Sequence, residues 1–209
     1  MKKSIVLLGM VLLFALAAAA QDMPKMETFL GYTYVRANSA TNIPAFSANG
    51  ASGQFVYNFS KYFGGVLDLG AVHNGDLGGF AIDSTAVNFL LGPRWSFRYS
   101  RITPYIEALF GGSYIAQSSR VSSIVSTPTT GLAPIVPGQP ITSRLVASQT
   151  AFAMAIGGGL DIKINKNVSF RPIGLDYYMT RFQNLRSGND NNQNNLRYTA
   201  GVNFTFGAQ

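Results

Sequence analysis

The chain has 209 residues, of which 47% are hydrophobic and 12% are charged, with 16 Lys and Arg against 9 Asp and Glu. This length suits a single domain, and the abundance of apolar and aromatic residues excludes a disordered chain. The sequence contains no cysteine, which excludes disulfide bonds and a lipid-anchored N-terminal cysteine.

Residues 1–20 have the features of a secretory signal peptide. Two lysines near the start precede an apolar run from Ile5 to Leu16, and alanines precede Gln21. An uncleaved membrane anchor is the alternative, but the apolar run is shorter than the ~18 residues of a spanning helix. We therefore expect a signal peptide over 1–20 and one β-barrel domain over 21–209.

After the signal peptide, apolar and polar residues alternate in successive segments, as in strands with one apolar and one polar face. The predicted strands are 27–36, 51–59, 63–74, 84–98, 102–116, 149–163, 168–181 and 195–206. In the seventh segment the apolar residues change parity near Pro172, which predicts a β-bulge because proline cannot donate to the ladder. The last segment alternates throughout and is longer than the roughly 9–11 residues that a tilted strand needs to cross a bilayer.

The connections between these strands alternate between long and short. Tight turns are predicted at 60–62, 99–101 and 165–167, and longer polar loops at 37–49, 75–83, 117–148 and 182–194. Outer-membrane barrels have this topology, with short periplasmic turns and longer extracellular loops. An even number of strands then places both mature termini on the periplasmic side.

Aromatic residues such as Tyr57, Phe59, Trp95 and Phe97 cluster beside the short turns. Membrane interfaces favour such rings, although aromatic residues are also common in ordinary strands. A soluble eight-stranded barrel such as a lipocalin is the structural alternative. It would expose charges, whereas the polar faces here consist mostly of small residues and suit a narrow lumen. The sequence thus predicts an all-β fold, an eight-stranded antiparallel up-and-down transmembrane β-barrel, in the bacterial outer membrane.

Two segments resemble the opening and closing strands of known proteins: F-L-G-Y-T-Y-V-R (29–36) and N-N-L-R-Y-T-A-G-V-N-F-T-F-G (194–207). The chain resembles the small outer-membrane β-barrel family that includes the OmpA transmembrane domain and porin-family proteins, over about residues 26–206. The resemblance implies insertion into the outer-membrane lipid bilayer by the barrel-assembly machinery.

The sequence departs from this family at its C-terminal end. Members usually finish on an aromatic residue that the assembly machinery reads, whereas three residues follow Phe206 here. We still expect the machinery to recognise this end. OmpA proteins continue into a peptidoglycan-binding domain, but this sequence stops at Gln209, so cell-wall tethering is not implied.

Charged residues on the polar faces form the candidate site. Those that point inward by parity are Asp68, Arg94, Glu107, Asp161, Asp176 and Arg197. Isolated charges in a narrow interior are too costly, so we expect these residues to pair in a network. Such a network either fills and stiffens the lumen or acts as an electrostatic gate for ions, since eight strands leave an interior just filled by side chains.

Little in the sequence points to catalysis or cofactor binding. The only histidine, His73, is predicted near Asp76, Asp83 and Ser84, but no spacing matches a catalytic triad. One histidine and scattered acids offer no metal cluster, and the glycines at 157–159 lie within a strand rather than in a phosphate-binding loop. The basic residues are dispersed, which argues against nucleic acid. We expect no enzymatic activity, cofactor or metal.

The sequence therefore favours a structural or surface-interaction role in the outer membrane. The predicted loop 117–148 is longer than a plain connector, and its Ser-, Thr- and Pro-rich composition suits an exposed site for an extracellular ligand. The alternative is a narrow porin-like channel for ions or small solutes.

Overall fold

The computed structural model describes residues 24–39, 45–75, 82–124, 140–183 and 190–207. The strands are β1 Met26–Ala37, β2 Phe46–Asn58, β3 Phe63–Asn74, β4 Ile82–Ser96, β5 Ile102–Ile124, β6 Pro140–Lys163, β7 Val168–Gln183 and β8 Asp190–Phe206. Each strand pairs antiparallel with its neighbours in sequence, and β8 pairs with β1 to close the barrel. The predicted fold is confirmed. The predicted signal peptide lies outside the described residues, and within them no helix is long and apolar enough to span a membrane.

The two faces of the strands differ sharply in chemistry. Large apolar side chains point outward and stay exposed, including Leu30, Leu91, Ile106 and Leu196. The lumen instead contains the buried polar and charged side chains, together with apolar ones such as Val66 and Leu109, because the alternate positions of each strand point inward. This is the arrangement expected of a membrane barrel and the opposite of a soluble barrel, whose apolar residues lie inside.

Three tight turns join the strands at one end of the barrel, as predicted. In the first, the Phe59 amide donates to the Phe63 carbonyl at 2.9 Å. In the third, Asn165 Oδ1 accepts from the amides of Asn167 and Val168, each at 2.9 Å. Asparagine favours such turns because its side chain can replace a backbone acceptor. We call this the short-turn end.

The predicted bulge near Pro172 is also confirmed. The pairing of β7 with β8 shifts register between Arg171 and Gly174. As a result, Phe170 and Ile173 are both exposed, although they are an odd number of residues apart. The bulge turns the Arg171 side chain into the lumen, where it is fully buried.

The strands at the long-connection end extend further than predicted. The predicted loop 117–148 is wrong in extent, because β5 continues to Ile124 and β6 begins at Pro140. The predicted loops 37–49 and 182–194 are likewise shortened by β2 and β8. Backbone hydrogen bonds continue a hairpin ladder whatever its side chains are, so strands persist where the apolar alternation has stopped.

The seam between β1 and β8 brings two glycines directly opposite each other. Gly31 pairs with Gly201, and a Cβ atom added to Gly31 would lie 2.3 Å from the Ala200 carbonyl oxygen. The same added atom would lie 2.5 Å from the Phe29 ring. Glycine is therefore required here, because the space above it is filled by the ring of Phe29, which is fully buried in the lumen.

Candidate functional site

The structure places all the predicted site residues in the lumen, each at most 4% exposed. Every strand contributes a polar or charged side chain to this cluster: Glu27 from β1, Gln54 from β2, Asp68 from β3, Arg94 from β4, Glu107 from β5, Asp161 from β6, Arg171 and Asp176 from β7, and Arg197 from β8. We call this set the lumen network.

Gln54 lies at the centre of the lumen network. Its Oε1 atom accepts hydrogen bonds from Arg94 at 2.5 Å and from Arg171 at 2.7 Å. Its Nε2 atom donates to Asp68 at 2.9 Å and to Glu107 at 3.0 Å. One neutral amide thus gives its acceptor to two cations and its donor to two anions. The contact with Arg171 joins β2 to β7, which are not neighbours in the sheet, so it crosses the lumen.

Arg94 and Glu107 form a local pair of the network, between neighbouring strands. They lie directly opposite each other on β4 and β5, and Arg94 Nε donates to Glu107 Oε2 at 2.8 Å. The Tyr105 ring lies beside the Arg94 guanidinium, with 4.1 Å between the ring centroid and Cζ. Strand register therefore sets this ion pair without any long-range contact.

Arg171 is held by both charge and stacking. Its guanidinium donates to both carboxylate oxygens of Asp161, at 2.7 and 3.2 Å. Its Cζ atom lies 4.1 Å from the centroid of the Phe29 ring and 4.4 Å from that of Tyr105. A planar, delocalised cation suits such a position, because it can stack on rings while its edge donates hydrogen bonds.

Arg197 joins two acids from different walls of the barrel. Its Nε atom donates to Asp176 at 2.8 Å, and its NH1 group donates to Asp68 at 2.9 Å. Asp68 Oδ1 also accepts from Asn88 Nδ2 at 2.7 Å. Because Asp68 is on β3 and Arg197 on β8, this contact also crosses the lumen.

A second group of contacts extends the network toward the short-turn end. Glu27 accepts from Arg98 at 2.6 Å, from Asn58 at 2.8 Å and from Asn203 at 2.9 Å. Asn203 also donates to Asp161 at 3.3 Å. Hydrogen bonds therefore connect the lumen continuously from Glu27 to the central cluster.

The charges of the lumen nearly balance. Among the described residues, the guanidinium groups of Arg94, Arg98, Arg171 and Arg197 face the carboxylates of Glu27, Asp68, Glu107, Asp161 and Asp176. Ion pairs with extra hydrogen bonds offset the large cost of removing charges from water. The arrangement can therefore hold charges in the lumen, and its many cross-lumen contacts join the walls of the barrel.

A cavity of about 40 Å³ lies in the lumen on the long-connection side of the network. Its lining is mainly apolar and includes Val35, Val72 and Ile115. Asn88 and Tyr178 line the cavity as well and also contact the network, through Asp68 and Arg197 respectively. The cavity therefore ends where the network begins.

Within the part of the chain that the structure describes, no catalytic groups are assembled around His73. The His73 ring and Thr85 Oγ1 share a hydrogen bond of 3.1 Å, while Asp76 lies outside the described residues. In the described ranges, no group of three or more His, Cys, Asp or Glu side chains could hold a metal ion.

Sequence reasoning missed Arg171, Gln54, Glu27 and Arg98 as members of the network. Arg171 was hidden by the bulge, although the lipid-facing parity of Phe170 could have indicated it. Gln54 and Glu27 lie on the predicted polar faces, so strand parity could have placed both side chains in the lumen. No sequence signal shows that Gln54 reaches β7, because that contact depends on how the barrel closes.

Several solved structures have a fold similar to that of this chain. No family model and no curated protein matches the sequence. Neisserial surface protein A has a similar structure, with a TM-score of 0.59 and 12% identity, covering 87% of this chain and 97% of that one.

Ail, the attachment invasion locus protein of Yersinia pestis, is similar with a TM-score of 0.54 and 15% identity, covering 87% of this chain and all of that one, 100%. A structure of Ail in complex with the heparin analogue sucrose octasulfate gives a TM-score of 0.51 and 18% identity, covering 87% of this chain and 100% of that one. The chain therefore has the eight-stranded, all-antiparallel up-and-down barrel fold of small outer-membrane proteins.

Proposed function

We propose that this protein is a closed outer-membrane barrel with a structural or surface-interaction role. The observation that carries the proposal is the lumen network, in which Gln54 reaches Arg171 and Arg197 reaches Asp68 across the interior. Eight strands enclose a space that side chains can fill. Side chains from every strand that hydrogen-bond to one another across the lumen make the barrel wall stiff and close the lumen to solutes.

The proposed orientation follows from the two unlike ends. The short turns lie in the periplasm and the long connections outside the cell, as is general for such barrels. The first and last strand residues at the seam, Met26 and Phe206, are paired at the short-turn end. Both mature termini are then periplasmic, and residues 1–20 serve as the signal for export.

The surface-interaction role rests on the unusual length of β5 and β6. Residues 120–124 of β5 pair with 140–144 of β6 but with no residue of β4, whose pairing ends at Ile82 and Ser119. We call these two segments the arm. At about 3.3 Å per residue, the arm extends roughly 16 Å past the end of β4. Within the described ranges no strand pairs with the outer edges of the arm, and a partner can engage such an edge by adding a strand.

A conductance measurement tests whether the lumen is closed. The purified barrel is reconstituted in a planar bilayer, and ion currents are compared for wild type, Arg94→Ala and Glu107→Ala. We expect no steady current in wild type. The exposed variant Arg36→Ala serves as a control for mutation away from the network. A steady wild-type current would contradict the closed lumen and support the alternative, a narrow channel for ions or small solutes.

Deletion of residues 120–144 tests the arm separately. We expect the shortened barrel to fold and insert, since β4 and β7 pair with the remaining parts of β5 and β6. Cells that carry the shortened protein should adhere less to host-cell surfaces than cells that carry the wild type, while the ion currents stay unchanged. Equal adhesion with and without the arm would contradict a role for it in surface interaction.

A further inference from the structure

The short-turn end carries a set of exposed cations. Each tight turn contributes one: Lys61, Arg101 and Lys166. Lys25 and Lys163 lie beside them and are exposed as well. We call these residues the basic collar. Among the described residues, none of them forms an ion pair.

The lumen network explains why the basic collar is uncompensated. The sequence has 9 Asp and Glu residues, and Glu27, Asp68, Glu107, Asp161 and Asp176 are all buried in the lumen. Within the described part of the short-turn end, the acids are Glu27 and Asp161. Both are committed to arginines inside the barrel. Among the described residues of this end, the outer surface is therefore positive without neighbouring negative charge.

Exposed aromatic side chains set the level of the membrane interface next to the basic collar. Phe59, Tyr62, Trp95 and Phe97 point outward beside the turns, and Lys61 Nζ lies 5.8 Å from the centroid of the Tyr62 ring. Amphipathic rings settle at the level of lipid headgroups. The cations therefore lie at the depth of the lipid phosphates.

The exposed charges at the other end of the barrel are mixed in sign. There the described exposed residues include an acid, Asp83, as well as Arg36 and Arg181. A uniform positive charge is thus specific to the short-turn end within the described residues. A protein that bound any anionic surface would not need its uniform positive charge to be confined to one end of the barrel.

We propose that the basic collar binds the headgroups of anionic phospholipids and enriches them around the short-turn end. This inference rests on the proposed membrane location. Lys and Arg side chains near an anionic lipid surface attract it, and the attraction is screened within a Debye length. The collar holds five such cations around the barrel. It therefore selects anionic over zwitterionic lipids, and salt weakens the selection.

The single tryptophan provides a direct probe of this selection. Trp95 is the only tryptophan in the chain. It points outward beside the turns and contacts the Phe63 ring, with 5.4 Å between ring centroids. The protein is reconstituted in two sets of vesicles that contain both lipids. In one set the phosphatidylglycerol is brominated and the phosphatidylcholine is ordinary; in the other set the phosphatidylcholine is brominated and the phosphatidylglycerol is ordinary. Quenching of Trp95 then reports which lipid lies next to the short-turn end.

We expect phosphatidylglycerol to be enriched by about threefold or more over its bulk fraction, given about fivefold per well-placed cation. The triple variant Lys61→Gln, Arg101→Gln, Lys166→Gln should lose most of this enrichment. The matched variant Arg36→Gln, at the opposite end, should keep it. Raising the salt concentration should lower the wild-type enrichment toward that of the triple variant.

The outcomes separate this inference from the proposed location. Equal quenching by the two brominated lipids in wild type would overturn the inference alone, because the barrel would still be embedded. Persistent enrichment in the triple variant would also overturn it, since the three cations of the tight turns would then contribute nothing to the selection. Absence of quenching by either lipid would overturn both the membrane location and the inference.

Discussion

Arg197 lies directly opposite Asp176 in the β7–β8 pair, and its Nε atom donates to the Asp176 carboxylate at 2.8 Å. The same guanidinium donates to Asp68 on the far side of the lumen at 2.9 Å. One arginine thus makes both a contact fixed by strand register and a contact fixed by barrel closure.

Replacing Arg197 with alanine should leave two buried carboxylates without their cation. Breaking a buried ion pair by removing one partner costs about 3–5 kcal/mol, so we expect a loss of that order in the free energy of unfolding. Urea unfolding in lipid vesicles, followed by Trp95 fluorescence, measures it. The double variant Arg197→Ala, Asp176→Asn should recover part of the loss. A loss no larger than that of the exposed variant Arg36→Ala would contradict the role assigned to Arg197.

Replacing Arg171 with lysine should lower the stability of the barrel, although the positive charge is kept. Lysine keeps the charge opposite Asp161 but loses the two-pronged hydrogen bonds and the stacking on Phe29 and Tyr105. We expect Arg171→Lys to be less stable than wild type and Arg171→Ala to be less stable still. Chemical unfolding of the three proteins gives the order. Equal stability of wild type and Arg171→Lys would show that charge alone matters.

The two faces of β8 should respond differently to an added arginine. Val202→Arg places a charge toward lipid, which costs up to about 2–4 kcal/mol at the bilayer midplane and less near the interfaces. Thr199 is instead buried in the lumen at 3% exposure, so Thr199→Arg is limited by space. The loss of stability caused by Val202→Arg should therefore be smaller in short-chain detergent than in lipid, whereas the loss caused by Thr199→Arg should not change. Equal responses of both variants to the lipid environment would show that the facing is wrong.

The Gly31–Gly201 pair should be intolerant of even one methyl group. An added Cβ at Gly31 would meet the Ala200 carbonyl oxygen at 2.3 Å, and backbone cannot easily move aside. Overpacking of this kind costs about 1–3 kcal/mol or more, so Gly31→Ala should weaken barrel closure. Gly53→Ala is the control, since its nearest neighbour is the end of the Leu30 side chain at 3.2 Å. Similar unfolding free energies for both variants would contradict a close seam.

Several parts of the candidate site could be read from the sequence because strand alternation is local. Parity alone indicated that Asp68, Glu107 and Arg197 would point away from lipid, and all three are buried. The partner of Arg94 also follows from local pairing, since a short turn joins β4 to β5 and sets Glu107 opposite it.

Other parts did not follow from one uniform parity. The bulge at Pro172 reverses the parity along β7, so Arg171 could be placed in the lumen only from the residues before the bulge, such as Phe170. The arm lacked an apolar face, so its strands gave no alternation and were predicted as loop. Backbone pairing, which is insensitive to side-chain polarity, decided where β5 and β6 end.

The sequence by itself determined the number of strands, the short turns and the face of each strand, because these depend on the two-residue period and on local turn residues. Only the tertiary structure decided that Gln54 meets Arg171 and that Arg197 meets Asp68. Such contacts join strands that are not neighbours, and they depend on the stagger with which the closed barrel brings opposite walls together.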